Sequence, residues 1–509
     1  MHTSARVRPE VAAPLSGGVA GAAEVRELVE VATAALAAGA VDREGPAPVG
    51  GPAAVAAMLA AQGVDLLPEN GIGAHAAVRE LTRLLAAGST DPSNPWCAAH
   101  LHAPPLAVAA VADLVAGVLN PSLDSWDQAP MASELERELS GGFARLCFPN
   151  APAPDAVITS GGTESNVLGL LLARHAATEQ GLPAVRPVCG ANAHHSVARA
   201  AWLLGLPNPV VVDCAGGRMR PDALAHALAG LAGPAVVVAT AGTTDAGVID
   251  PLPEIGEVSR RANAFLHVDA AYGGVALLSE RLRPLLDGLE LADSMAMDLH
   301  KFGWQPIAAG LLAVRDAKLL TALEVRTGYL NAADDTEAGL PDLLGRSLRT
   351  SRRLDAFKIA VTFRALGRSG VAGLVERCCQ TASEVAGAVD RHEGLRVWGV
   401  PALSTVLFRP LLADELAGEL GAEAGDTLVA RVRRRLLEDG TAVLGRSAAG
   451  PSTPDGDDGT NRLWLKLTLL HPHADLRDYL PLLDLVAACA RAELDAVIAD
   501  LDRVLVRTP

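Results

Sequence analysis

Aromatic side chains make up only 3% of this 509-residue chain. That is too few for the stacking platforms on which single-stranded nucleic acid is held. Positive charge is also short. With 43 Lys and Arg against 59 Asp and Glu, the formal net charge is −16, which argues against a nucleic-acid partner. Cysteine is scarce and scattered. The seven residues, at 97, 147, 189, 214, 378, 379 and 489, are odd in number and form no CxxC pair. A disulfide framework, a zinc ribbon or another metal centre is therefore not expected, and a reducing, cytoplasmic setting is. No apolar run reaches membrane-spanning length; 105–119 comes nearest, and Asp113 interrupts it. The first residues include arginines, but Pro, Gly, Glu24 and Glu27 break any leader-like apolar stretch.

What is present is globular: 50% hydrophobic and 20% charged residues. A chain this long exceeds one ordinary core, so two or three domains are expected. Residues 1–22 are Pro/Gly/Ala-rich and read as disordered. A helical segment follows over 23–95, with helices at 25–37, 52–62 and 75–87 and a Pro/Gly connector at 39–51. The polar loop 120–130 precedes an amphipathic helix at 131–148. Short apolar runs at 156–159, 186–189, 209–213, 235–241 and 264–268 then alternate with helical stretches at 164–179, 196–204, 221–231 and 252–261. That alternation predicts a mostly parallel sheet with crossover helices, in a large domain spanning 96–365. Ligands of such sheets sit beyond the carboxyl ends of the strands, which puts 160–163, 243–244 and Asp269 at one rim. The polar stretch 327–350 reads as a mobile loop and 353–365 as a helix. A smaller α+β domain occupies 366–509, with a Gly/Pro/Asp-rich disordered loop at 447–460.

The chain is organised around 292–315, where a polar break, Asp298-Leu299-His300-Lys301, separates two strand-like runs. Burying an ammonium is costly, so a lysine between buried strands is either a surface hairpin residue or an amine used to condense with a carbonyl. Gly161, Gly162 and Thr163 follow one strand and open a helix. Such a turn suits a phosphate, or is simply a turn capped by Thr163; neither GxGxxG nor GK[ST] is present there. His194 and His195 end the next strand. Adjacent histidines do not have metal-ligand helix spacing, whereas one imidazole can lie over an aromatic ring. Asp269 ends a further strand, either as a helix cap or as the carboxylate that keeps a pyridine nitrogen protonated. Phosphate cradle, stacking imidazole, carboxylate and lysine on one sheet together describe pyridoxal 5′-phosphate.

The stretches TSGGTESN (159–166), HHSVARAAWLLGL (194–206), ATAGTTDAGVIDPLPEI (239–255), HVDAAYGG (267–274), DLHK (298–301), SRRLDAFKIAVTFRALG (351–367) and LWLKLTLLHP (463–472) carry a resemblance. They resemble the pyridoxal-phosphate-dependent group II decarboxylases of fold type I, over roughly 90–505. HLHAPP, NPSLDSWDQAP and YLNAADD look closest to the diaminobutyrate or diamine-type branch. The resemblance implies decarboxylation of an L-amino acid through an external aldimine and a quinonoid, with Lys301 forming the resting aldimine. It implies that Asp269 pairs with the ring nitrogen and His194 stacks. Gly161, Gly162, Thr163, Asp298 and His300 would hold the phosphate, with Thr244 and Ala271 beside the ring. It also implies a homodimer whose 100–130 region and mobile loop close the site. His100, His102, Ser125 and Trp126 are the expected substrate-lining residues, and His300 or His102 a proton donor. Many such enzymes carry a tyrosine on the mobile loop, and here that position falls near Leu343. The alternative outcome is oxidative deamination to an aldehyde, or β-elimination. Phe302-Gly303-Trp304 is expected to reshape the pocket.

Overall fold

The computed structural model describes residues 14–325, 330, 332–450, 452 and 461–507. Seven strands form the central sheet: β1 (Asp155–Thr159), β2 (Arg186–Gly190), β3 (Val210–Val212), β4 (Ala235–Thr240), β5 (Phe265–Ala270), β6 (Ser294–Asp298) and β7 (Gly310–Val314). Their spatial order is β1-β7-β6-β5-β4-β2-β3. The β3-β2-β4-β5-β6 run is parallel, and β7 is antiparallel to both neighbours, β6 and β1. Every residue of β4 and β6 is buried, as expected where helices cover both faces of a parallel sheet. The sequence shows this as continuous apolar runs, AVVVAT in β4 and SMAM in β6, rather than strict alternation.

Ten of the helices are α1 (Gly18–Arg43), α2 (Gly51–Ala61), α3 (Ala74–Gly88), α4 (Ala107–Leu119), α5 (Pro130–Cys147), α6 (Gly162–Glu179), α7 (Ser196–Leu203), α8 (Pro221–Ala229), α9 (Leu252–Arg261) and α10 (Ala356–Arg391). α10 starts three residues later than expected; Arg353, just before it, turns its guanidinium to Asp113 of α4. It is broken at Gly367 (φ 68°), a backbone position that glycine tolerates best. Beyond the break, α10 packs on a second, antiparallel sheet: β8 (Leu395–Val397), β9 (Thr405–Pro410), β10 (Gly445–Ala449) and β11 (Arg462–Thr468), ordered β8-β9-β11-β10.

Four expectations need correction. Helix α1 begins at Gly18, inside the stretch read as disordered; residues 1–13 lie outside those described. α1 also runs through Gly39 into the expected connector, because that glycine lets it close on α3: a Cβ there would meet Arg83 O at 2.3 Å. Arg43 then ties the helix end to Asp91 (2.6 Å) and Ala86 O (2.8 Å). Residues 96–99 join the small domain rather than the large one. Val443 N donates to Trp96 O (2.9 Å), Ala98 N to Val443 O (3.0 Å) and Thr468 N to Ala98 O (2.7 Å). Ser447 to Ala449, read as loop, pair with β11; most of the remaining insert lies outside the described residues, as does part of the expected mobile loop, 326–329 and 331.

Candidate active site

The carboxyl ends of β1, β4, β5 and β6 surround a cavity of about 320 Å³, within the roughly 300–1,000 Å³ usual for small-molecule sites. Gly161, Gly162, Thr163, His194, Thr244, Asp269, Ala271, Asp298, His300 and Lys301 all line it, so residues far apart in sequence share one space. Ser160, Glu164, Asn166, Thr240, Gly242 and Tyr272 complete the wall.

Lys301 lies in the turn that reverses β6 into β7. Its side chain is 19% exposed and its Nζ stands 3.6 Å from Asp298 Oδ2. The whole chain has four lysines, at 301, 318, 358 and 466. Lys358 is buried against Asp113 (2.9 Å) and Asp355 (3.3 Å). Lys466 is buried and donates to Thr244 O (3.0 Å). Lys318 is exposed. That scarcity was a usable signal, and it would have singled out Lys301 more sharply than the turn did. Lys466 was missed altogether, because only the folded chain brings β11 against the Thr243-Thr244 loop.

At the start of α6, Gly162 N donates to Asp298 Oδ2 (3.1 Å). His300 Nδ1 stands 2.7 Å from Asp298 Oδ1, off the line a hydrogen bond requires, so both atoms are buried without a hydrogen-bond partner. Thr240 Oγ1, also in the wall, is likewise unpartnered. At the far side Asp269 accepts from Asn166 Nδ2 (2.7 Å) and Ala271 N (3.1 Å). His194 Nδ1 meets Ser196 Oγ at 2.8 Å. Burial holds the pKa of His194 below the ordinary histidine value, which favours a neutral ring. His195 turns to solvent, its ring 4.0 Å from that of His194.

The four expected substrate residues do not line this cavity in the single chain: His100 and His102 are exposed, Ser125 is buried beside Gln128 (2.7 Å), and Trp126 is half-buried. Phe302 and Trp304 do not shape the wall either. Both are fully buried, with Trp304 Nε1 on Leu470 O (2.8 Å) and Phe302 behind Tyr272. Leu343 packs into the large-domain core. Tyr329 lies outside the described residues. No cluster of three or more His, Cys, Asp or Glu suited to a metal occurs among the described residues.

Residues 67–410 match the pyridoxal-dependent decarboxylase conserved domain. The chain belongs to that family. It is therefore a pyridoxal-phosphate-dependent carboxy-lyase of an amino acid, on the fold type I scaffold. It is 38% identical to L-2,4-diaminobutyrate decarboxylase of Rhizobium meliloti (strain 1021) over 435 residues, 84% of each chain. The enzyme of that name from Acinetobacter baumannii is 32% identical, covering 84% of this chain and 86% of its own. The acidic amino acid decarboxylase of Homo sapiens is 31% identical, over 66% of this chain and 68% of its own. A solved structure, the glutamate decarboxylase domain of diaminobutyrate-pyruvate transaminase and L-2,4-diaminobutyrate decarboxylase from Vibrio parahaemolyticus, superposes with a TM-score of 0.78 at 30% identity. It covers 94% of this chain and 98% of that one. These relatives are named as decarboxylases and do not favour the oxidative or β-eliminating alternative.

The cavity suits the cofactor. A Cβ at Gly162 would meet that of Ala271 at 2.7 Å, and one at Gly161 would meet His300 Cε1 at 2.9 Å. The glycines thus keep a cradle open at a helix N-terminus, where anions are favoured, and the unpartnered Oγ1 of Thr240 leaves a buried polar atom for a ligand to meet. Gly162→Ala should fill that cradle. We expect about 1–3 kcal/mol lost in cofactor binding or fold stability, read by pyridoxal phosphate titration and thermal melting; parent-like values in both contradict the assignment.

Burial lowers the pKa of His267, beneath Asp269, to about 4. A histidine with a lowered folded pKa stabilises the fold fully above its unfolded value, about 6.5, and that stability is lost as pH falls toward 4. Between these limits the parent should lose about 3 kcal/mol more than a His267→Gln variant. Chemical denaturation across this window checks it, and equal pH slopes refute it.

Proposed function

We propose that this enzyme decarboxylates L-2,4-diaminobutyrate to 1,3-diaminopropane, in a cytoplasmic homodimer. The observation that carries the substrate is the charge of the wall. Among the described residues no arginine lines the cavity to meet a side-chain carboxylate, which favours a cationic substrate side chain over an acidic one. The identity to the Rhizobium meliloti enzyme points the same way.

Lys301 Nζ would anchor the aldehyde. Asp269, held by two N–H donors, would offer its carboxylate to the ring nitrogen and keep a proton there. His194 and Ala271 would flank the ring, Gly161, Gly162, Thr163 and His300 would take the phosphate, and Thr244 would border the ring. When bound, pyridoxal phosphate supplies an electron sink for the pair left as CO₂ departs. The protein's part is to orient the amino acid so that its carboxylate is the group that leaves, and to return a proton to Cα. With Leu343 buried where a tyrosine is common, we assign the donor role to His300, which lines the cavity.

A second copy is favoured by the apolar side chains that α1, α4 and the α2–α3 connector leave in water. Val19 and Leu67 are each 93% exposed and Leu119 is 70% exposed. We take the 100–130 region, with His100, His102, Ser125 and Trp126, to reach the cavity of a second copy, since it does not line its own. The cytoplasm is favoured by free cysteines throughout.

The test is a panel of L-2,4-diaminobutyrate, glutamate, aspartate, ornithine and aromatic amino acids, with CO₂, amine and peroxide quantified and molar mass measured by light scattering. Equal CO₂ and 1,3-diaminopropane without peroxide, from a dimer, is the expected result. Faster turnover of glutamate or aspartate would refute the substrate, and aldehyde with peroxide would refute the outcome.

A further inference from the structure

His267 takes no part in the chemistry described so far, yet it is wholly buried under the cavity floor. Its neighbours are arranged to receive an imidazole. On β5 it precedes Asp269 by two residues, so the two side chains share a face of the sheet. From the opposing helix, α6 offers Gly169 over the ring, where a Cβ would meet His267 Nδ1 at 2.5 Å. One turn earlier on α6, Asn166 fills the gap between His267 and Asp269.

The hydrogen bonds fix the direction of every proton. Asn166 Nδ2 donates to Asp269 Oδ2 (2.7 Å) and to Ser196 Oγ (2.8 Å). The flipped amide would set an oxygen against the carboxylate, so Oδ1 is the atom that faces His267 Nε2 at 2.9 Å. An amide oxygen only accepts. His267 Nε2 therefore carries the hydrogen, and its Nδ1 accepts from Ser294 Oγ at 2.8 Å. With Ser196 Oγ taking the Asn166 hydrogen, its own hydrogen goes to His194 Nδ1, 2.8 Å away. The chain runs Ser294, His267, Asn166, and there it forks. One arm ends on Asp269, the other on Ser196 and His194. Buried chains of this kind hold one geometry because any break leaves a group unsatisfied.

We propose that His267 is a positioning residue for the cofactor ring: through Asn166 it sets both the Asp269 carboxylate at the ring nitrogen and the His194 imidazole over the ring face. This rests on the reading that the cavity holds pyridoxal phosphate between Lys301 and Asp269. Asn166 is the shared member, so the two ring contacts are not independent. Loosening His267 loosens both.

The experiment uses the full-length enzyme stripped of cofactor and titrated with pyridoxal phosphate. His267→Phe keeps a flat ring and removes its hydrogen bonds. Its affinity for pyridoxal phosphate should fall about 10- to 100-fold, the usual worth of a lost buried hydrogen bond near a charged group. The visible circular dichroism of bound cofactor, which reports a fixed ring orientation, should weaken with it, and kcat should fall while KM holds. Because His267 acts only through Asn166, the double variant with Asn166→Ala should bind no worse than Asn166→Ala alone. Ser294→Ala, a gentler cut at the far end, should cost roughly 2- to 10-fold, and decides the matter if His267→Phe does not fold. Parent-like affinity and dichroism in the folded variants, or costs that multiply in the double variant, overturn the proposal. A parent enzyme that takes up no pyridoxal phosphate overturns the cavity reading and this inference together. A parent that binds normally beside unaffected variants overturns this inference alone.

Discussion

Lys301→Ala protein is expected to carry no cofactor that borohydride can fix to the chain, and to release CO₂ at least about 10⁴-fold more slowly than the parent, equivalent to ~5.5 kcal/mol of lost transition-state stabilisation. The size of the effect follows from the lack of a substitute. Lys318 faces solvent, Lys358 is held by two aspartates, and Lys466 is buried against the Thr244 carbonyl. None can swing into the cavity without breaking a buried pair or crossing the domain. An amine added from solvent attaches the cofactor only transiently. The fold itself should survive, since Lys301 makes one loose contact, to Asp298 at 3.6 Å, and melting should stay near the parent value. A variant in which borohydride still fixes a pyridoxyl group to the chain, or one with more than a hundredth of the parent rate, would contradict the assignment.

Asp269→Asn is the second large effect. The side chain keeps its size, but the anion is gone, and its new amide faces Asn166 Nδ2, the donor that now reaches the carboxylate at 2.7 Å. Without the carboxylate the ring nitrogen loses the charge that keeps it protonated, and an unprotonated ring is a poorer electron sink. Loss of one preorganised electrostatic contact costs about 10²–10³-fold in kcat. We expect that loss with the cofactor still attached, so absorbance and borohydride reduction persist while CO₂ release collapses. Asp269→Asn protein with parent kcat would remove the carboxylate from the chemistry.

These expectations were legible in the sequence to differing degrees, and the difference is physical. The Thr159 to Asn166 stretch could be read because a glycine turn between an apolar run and a helical run is a local signal. Lys301 could be read because a polar break between two buried strands is also local. His267 and Asn166 were passed over because their partnership needs α6 to lie across β5, a contact between residues 101 apart in sequence. A cue existed: His267 sits two residues before Asp269 on one strand, a polar residue in an otherwise apolar buried run. The same limit explains Trp96 to Ala99 and Ser447 to Ala449. Trp96 to Ala99 read as part of the large domain and Ser447 to Ala449 as loop, because the backbone pairing that holds each comes from distant chain. The N-terminal boundary failed for a different reason. Alanine-rich sequence with glycine has the composition of a flexible arm, yet alanine is the best helix former, and α3 gives α1 something to pack on.

Which amine holds the cofactor decides the function of this enzyme. Purified enzyme loaded with pyridoxal phosphate should be reduced with borohydride, digested, and searched by mass spectrometry for a pyridoxyl group. The geometry predicts the added mass on the peptide bearing Lys301 alone. The same mass on the peptides of Lys318, Lys358 or Lys466, or on none, would contradict it.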